Sequence, residues 1–405
     1  MNEQLKGGIC AAKGFKAAGV NCGIRMNKIK KDLAVIISDV PAAAAAVYTQ
    51  NLVKGAPIYV TEENLKNGMA QAMVCNSGNA NTCNADGIDI AKGMCRLVEK
   101  QFAVKAEDVI VASTGVIGQP LSLAPIERGM PLLKEGLTDN GSLDAAQAIM
   151  TTDTRVKEIA VEFTLGGKTC VMGGIAKGSG MIHPNMATML VFITTDAAIS
   201  PQMLNKALKS DVVDTFNMVS VDGDTSTNDM ASIMANGLAG NAQIQEENED
   251  YMAFCGALKT VTTYLCRMIA KDGEGATKLL TANVSGAKDD ETAKKVAKSV
   301  ICSSLFKAAI FGADANWGRV LCAIGYSGAD VDVQKVDVGF ASKVGSIIVC
   351  KNGAGVPFDE DTAKSILTAD EIDVNIALNR GTHTATAWGC DLTYDYVKIN
   401  GDYRS

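Results

Sequence analysis

The sequence predicts a mixed α/β (α+β) protein built as a layered sheet-and-helix sandwich, and three observations carry that reading. Stretches with apolar residues at helical spacing, 86–102 and 254–269 among them, alternate with runs rich in β-branched residues. Gly166-Gly167 joins two of those runs as a hairpin. The C-terminal half then mixes further strands with helices.

Taken in order, 33–38 and 46–49 read as short strands on either side of the alanine run 42–46, and 57–60 as a further extended piece before Thr61 opens a helical stretch. Residues 71–75 form a short apolar strand that stops at Asn76-Ser77-Gly78-Asn79-Ala80-Asn81, a segment equally readable as a turn or as the small, amide-rich lining of a site. Asp86 begins an amphipathic helix with Ile90, Met94, Leu97, Val98 and Phe102 on one face. The strand 108–112 empties into Ser113-Thr114-Gly115, either a plain turn or a backbone that aims consecutive N–H groups at one spot. Helices over 123–137 and 142–150 precede the hairpin strands 156–165 and 168–173. Residues 189–193 read as a buried strand, Ser200-Pro201 as a helix start, and 217–221 as extended. Phe254, Leu258, Val261, Leu265, Met268 and Ile269 mark a long helix, followed by a strand over 278–284, a helix from Asp290, and a loop then a helix within 308–326. Strands are expected at 331–340, 346–350, 371–378 and 382–399, with 400–405 as a frayed tail.

Composition excludes several classes of function. With 47% apolar residues there is ample material for a core. Lys and Arg number 38 against 45 Asp and Glu, a net charge of −7, and no basic run is present, which argues against nucleic acid or an anionic membrane as partner. The 12 cysteines are scattered, with no two close enough for a Cys-x₂₋₄-Cys metal site, so reduced, buried thiols and no metal are expected. Residues 1–20 carry Glu3, Lys6, Lys13 and Lys16 and lack a continuous apolar stretch, so a soluble cytoplasmic protein is expected. Asp222-Gly223-Asp224 lacks the spacing of a calcium loop and is read as structural. In residues 173–179, Ser179 stands at the position where a phosphate loop needs lysine, so a nucleotide site there is not expected.

The chemistry concentrates in Lys177-Gly178-Ser179-Gly180-Met181-Ile182-His183-Pro184-Asn185-Met186-Ala187-Thr188, a glycine-rich, proline-broken loop that meets a strand at a threonine. A threonine hydroxyl is a weak nucleophile until a base sits on it, and a freed α-amino group on the same residue is such a base. This stretch resembles the precursor cleavage site of the ornithine acetyltransferase family. Gly23-Ile24-Arg25, Ala112–Gly118, Ser220–Asp229 and Gly312–Arg319 resemble family segments in family order, so the likeness runs end to end.

The resemblance implies the fold of the ornithine acetyltransferases and self-processing aminopeptidases, with autocleavage between Ala187 and Thr188. The products would be an alpha chain, 1–187, and a beta chain, 188–405, headed by an N-terminal nucleophile and forming one catalytic unit with it as a heterotetramer or higher assembly. It implies ping-pong acetyl transfer from N-acetylornithine to Thr188 and on to glutamate, with no cofactor, and leaves open acetyl-CoA as a second donor. Thr114 and Gly115 become the oxyanion hole; Thr154, Lys177, Thr188, Glu274, Asn400 and Ser405 match the family's substrate-binding positions. Chemistry suggests Lys177 for a substrate carboxylate and Glu274 for an ammonium. Ser405 stands where many relatives carry Thr, and both bring a hydroxyl. His183 and His383 are the only histidines. His183 is open to acid/base or structural work, and His383 is read as structural. A self-processing aminopeptidase or amidase, and a non-catalytic binding protein, are the rival readings.

Overall fold

The computed structural model describes residues 3–25, 29–183 and 189–402. The chain divides into two compact units, one of Met1–Gly178, Pro184–Asn217 and Thr225–Leu265, the other of Ser179–His183, Met218–Asp224 and Cys266–Ser405. These units differ from the pieces that cleavage before Thr188 would give, since each takes segments from both sides of that bond.

In the first unit, strands β1 (Glu3–Leu5), β2 (Phe15–Val20), β3 (Leu33–Tyr48), β4 (Met69–Asn79), β5 (Val109–Val116), β6 (Lys157–Leu165), β7 (Lys168–Lys177), β8 (Leu190–Thr195) and β9 (Met230–Ala235) form one sheet. Its order is β1-β6-β7-β8-β9-β3-β4-β5, with β2 paired to β3. Successive side chains of a strand point to opposite faces. Ala34 and Ile36 of β3 join one apolar cluster while Leu33, Val35 and Ile37 join another, so the sheet is buried on both sides. The first cluster takes Ala145, Ala146, Ala148 and Ile149 from α4 (Ser142–Ile149). The second takes Met94 and Val98 from α2 (Gly87–Phe102) and Ile126, Met130 and Leu133 from α3 (Leu123–Glu135). Ser200 caps α5 (Pro201–Val213) by accepting from the Met203 N–H at 3.3 Å.

The second unit holds β10 (Leu279–Ala287), β11 (Asp337–Ser342), β12 (Gly345–Lys351), β13 (Ala354–Gly355), β14 (Glu371–Ala377) and β15 (His383–Cys390), in the order β13-β12-β11-β14-β10-β15. Strand β10 runs parallel to β14 and antiparallel to β15. Helix α7 (Asp290–Cys302) buries Val296, Ala297, Val300 and Ile301, and Phe306 stacks on Phe340 at 6.2 Å.

Several expected elements change. The alanine run is the middle of β3, flanked by β4 and β9, because methyl side chains fit a strand covered on both faces. Residues 57–60 are helical, within α1 (Ala56–Asn64): Pro57 stands in the first turn, where its missing N–H costs nothing. Strand β4 continues through Asn76–Asn79 and β5 through Thr114–Val116, each supplying the other's hydrogen bonds, so neither segment is a simple turn. Residues 216–218 form a 3-10 turn instead of an extended piece. The stretch 382–399 is β15 followed by α11 (Tyr394–Gly401), so Asn400 lies on a helix. Two short helices, Ser304–Phe311 and Glu360–Leu367, were not expected.

Candidate functional site

Of the residues singled out from the sequence, Ala187, Thr188 and Ser405 lie outside the described residues. Thr114, Gly115, Thr154 and Lys177 belong to the first unit, and Glu274 and Asn400 to the second.

In the first unit, Lys177 is the last residue of β7 and pairs with Leu190, the first of β8; Leu190 in turn pairs with Met230 of β9. Gly178, the described residue that follows β7, is thereby fixed at the strand's end. That position is tightened by Asp153, whose Oδ1 accepts from Lys157 Nζ at 2.6 Å and from the Gly178 N–H at 2.7 Å, while Oδ2 accepts from the Thr151 N–H at 2.9 Å. Burial alone would push this carboxyl up, but Lys157, Lys177 and the Gly178 N–H hold it well below the usual carboxylate range. Thr154, beside it, is exposed. Sequence reasoning missed Asp153 and Lys157; their four-residue spacing was the available signal.

Thr114 and Gly115 close β5. Gly115 has φ of +130°, and a Cβ there would lie 2.3 Å from the Gly78 carbonyl carbon, so the position admits only glycine. The strand end is clamped by Asn228, whose Nδ2 donates to the Ser113 carbonyl at 3.0 Å and the Ala80 carbonyl at 2.6 Å, while its Oδ1 accepts from Thr82 Oγ1 at 2.6 Å. Arg25 Nε donates to the Ser77 carbonyl at 3.1 Å on the adjoining strand. These bonds give Arg25 and Asn228, which stand in family-like segments, a physical task, the fixing of the β4–β5 ends.

In the second unit, Asn400 Nδ2 donates to Glu274 Oε2 at 2.8 Å, joining two positions 126 residues apart. Glu274 is buried, its N–H donates to the Ser179 carbonyl at 2.9 Å, and a Cβ on Gly180 would come within 2.4 Å of its carboxyl. Asp222 accepts from the Met181 N–H at 2.6 Å, the Ile182 N–H at 2.9 Å and Tyr396 Oη at 3.3 Å. The acidic loop is therefore a backbone clamp on residues 181–182. His183 Nδ1 lies 3.1 Å from Ser220 Oγ and 3.6 Å from Cys302 Sγ. Burial, helped by the Lys298 charge, pulls the imidazole down to about 4, so it is neutral at neutral pH and a weak base. His383 is half exposed and faces Asp290 at 2.8 Å.

Among the described residues no cluster of His, Cys, Asp and Glu could hold a metal ion, and no helix is long and apolar enough to cross a membrane. The cysteines are free thiols, with Cys83 and Cys322 exposed rather than buried as expected.

A family model described as ArgJ matches residues 16–405. The arginine biosynthesis bifunctional protein ArgJ of Caldanaerobacter subterraneus subsp. tengcongensis is 52% identical over 404 residues, covering 100% of both chains. The protein of the same name from Bacillus subtilis is 48% identical, over 99% of this chain and 98% of its own. A crystal structure of arginine biosynthesis bifunctional protein ArgJ from Bacillus halodurans is 46% identical over 51% of this chain and 96% of that one, with a TM-score of 0.49.

Proposed function

We propose that this chain, which belongs to the ArgJ family, the ornithine acetyltransferases of arginine biosynthesis, carries an acetyl group from N-acetylornithine to glutamate on the hydroxyl of Thr188. Thr188 Oγ first attacks the Ala187 carbonyl, giving an ester that water opens. The freed amino group, with an ordinary pKa of ~7.7–8.0, is neutral in part near neutral pH and takes the hydroxyl proton. Attack on the N-acetyl amide then builds an oxyanion. Its donors are the Gly115 N–H and the Thr114 hydroxyl or N–H, and each such donor lowers the barrier by roughly 3–4 kcal/mol.

Lys177 is assigned to a substrate carboxylate, and Glu274, steadied by Asn400, to an ammonium; Thr154 and Ser405 complete the substrate-binding set. The bond between Glu274 and Asn400 is the observation that carries this reading, because it ties together two positions the family resemblance names independently. The name bifunctional, carried by the relatives, supports acetyl-CoA as a second donor to glutamate. The cycle itself uses no cofactor. The alpha and beta chains remain assembled, as a heterotetramer or higher.

Purified wild-type protein gives two fragments on a denaturing gel and forms acetylglutamate from N-acetylornithine and glutamate, whereas Thr188→Ala gives one band of full-length mass and no product. Acetate in place of acetylglutamate would reject the transferase in favour of a hydrolase.

A further inference from the structure

A cavity walled by β3, α1 and α5 has no part in the chemistry proposed above. It measures about 520 Å³, and its wall takes in Ala44, Ala45, Ala46, Val47 and Tyr48 without a break. Successive side chains of a strand point to opposite faces, so a cavity that touches five residues in a row meets the strand along its edge rather than on one face.

The hydrogen bonds fix which backbone groups that edge presents. The Thr49 N–H donates to the Asp229 carbonyl at 3.0 Å, and β3 pairs with β9 in the register Ala45 to Ile233 and Val47 to Ala231, so Ala45 and Val47 turn their polar groups to β9. Ala44, Ala46 and Tyr48 turn theirs to the opposite side, where β4 lies. There the Ala44 N–H meets the Gly68 carbonyl at 2.8 Å, but the pairing with β4 ends at Ala43 and Met69, because the residues before Gly68 form the 3-10 turn Leu65–Asn67. The N–H and C=O groups of Ala46 and Tyr48 are thus left without a neighbouring strand among the described residues, and both residues border the cavity.

The facing wall is polar. Gln202, Asn205 and Lys209 share one face of α5, and their side chains form no hydrogen bond or ion pair among the described residues. Lys54 adds a second cation, held loosely by Glu62 at 3.6 Å. In a chain of net charge −7 this recess is lined by three lysines against one glutamate. Lysines on an edge strand can serve to keep other edges away, but residues 44–48 carry no charge, and these lysines come from other segments.

We propose that the recess takes up an extended, acidic peptide segment of a partner protein as an added strand on β3. The main chain of that segment exchanges hydrogen bonds with Ala46 and Tyr48, and its carboxylates meet Lys54 and Lys209. From Ala44 to Tyr48 the edge runs roughly 14 Å, the length of about five extended residues. The inference uses neither Thr188 nor acetyl transfer.

The test titrates the full chain into a fluorescein-labelled pentapeptide amide of sequence Asp-Val-Asp-Val-Asp, whose blocked ends keep it from mimicking a free amino acid, and follows fluorescence anisotropy. Saturable binding with a Kd below about 1 mM is expected. The double variant Lys54→Glu, Lys209→Glu should weaken it at least about tenfold. N-methylation of the peptide's amides, which keeps its charges and removes its donors, should weaken it by a similar factor. Amide exchange followed by NMR should slow at Ala46 and Tyr48 on binding and stay unchanged at Ala45 and Val47, which β9 already holds. Absence of saturation overturns the proposal, as does undiminished binding by the lysine variant. Equal binding of the N-methylated peptide, or unchanged exchange at Ala46 and Tyr48, overturns it too, since the recess would then attract anions by charge alone. Should the double variant fail to fold, as judged by circular dichroism, the N-methylated peptide and the exchange rates decide on the wild-type chain.

Discussion

Asp153 and Asp229 are both buried in the first unit and both feel the charge of Lys177, yet the carboxyl of one is held below the ordinary carboxylate range and that of the other is pushed well above it. The difference lies in their partners. Asp153 has Lys157 at 2.6 Å and backbone N–H groups on both oxygens, which together outweigh the cost of leaving water. Asp229 has Ser226 on one side and nothing on Oδ2, so desolvation wins. Depth of burial sets the penalty for charge, and the number of donors within reach decides whether a carboxyl accepts it.

The largest effect that would break this comparison is Asp153→Ala. It takes the carboxylate at 2.6 Å away from the buried Lys157 and removes the acceptor of the Gly178 N–H, and is expected to cost about 3–5 kcal/mol in urea unfolding. A loss below about 1 kcal/mol would mean that the pair does not anchor Gly178. Adding Lys157→Met should recover most of the loss, because the buried cation is then removed together with its carboxylate.

Next in size comes a difference in the sign of pH dependence. Asp153 has a depressed pKa in the folded chain, so its stabilisation is present above the unfolded carboxylate value of ~3.9 and lost as pH falls below it. Asp229 has a raised one: the folded chain keeps a proton that the unfolded chain releases, so stability is lost as pH climbs above that same value. Unfolding at about pH 4 and pH 7 should show Asp153→Asn losing ground to wild type as pH rises and Asp229→Asn gaining it. Parallel curves would show that the two carboxyls do not differ in protonation.

The smallest effect serves as a control. Lys16 and Asp39 pair at 2.8 Å with both side chains more than two-fifths exposed. Asp39→Asn should change unfolding by less than ~1 kcal/mol and be screened by salt. A larger loss would show that partner count without burial is enough, which the comparison denies.

Much of the fold was legible where periodicity and punctuation agree. The helix after Asp86, the hairpin at Gly166-Gly167 and the Ser200-Pro201 helix start all lie where the sequence places them. Two failures have different causes. Ala42–Ala46 carries no shape preference strong enough to resist its neighbours, and β4 and β9 make it strand. Tyr394 and Val397 of α11 are exposed, so the helix has no buried stripe to betray it.

The site divides along the same line. Motif order and residue chemistry carried the family reading, named the threonine expected to act as nucleophile, and excluded spaced metal-binding cysteines, because those properties are local or additive along a chain. The junction of Glu274 with Asn400, the Asn228 clamp on the end of β5, and the opposite pKa shifts of two aspartates arise from groups brought together across more than a hundred residues or sealed from water. Desolvation and through-space fields depend on what surrounds a group, and that is assembled only when the chain folds.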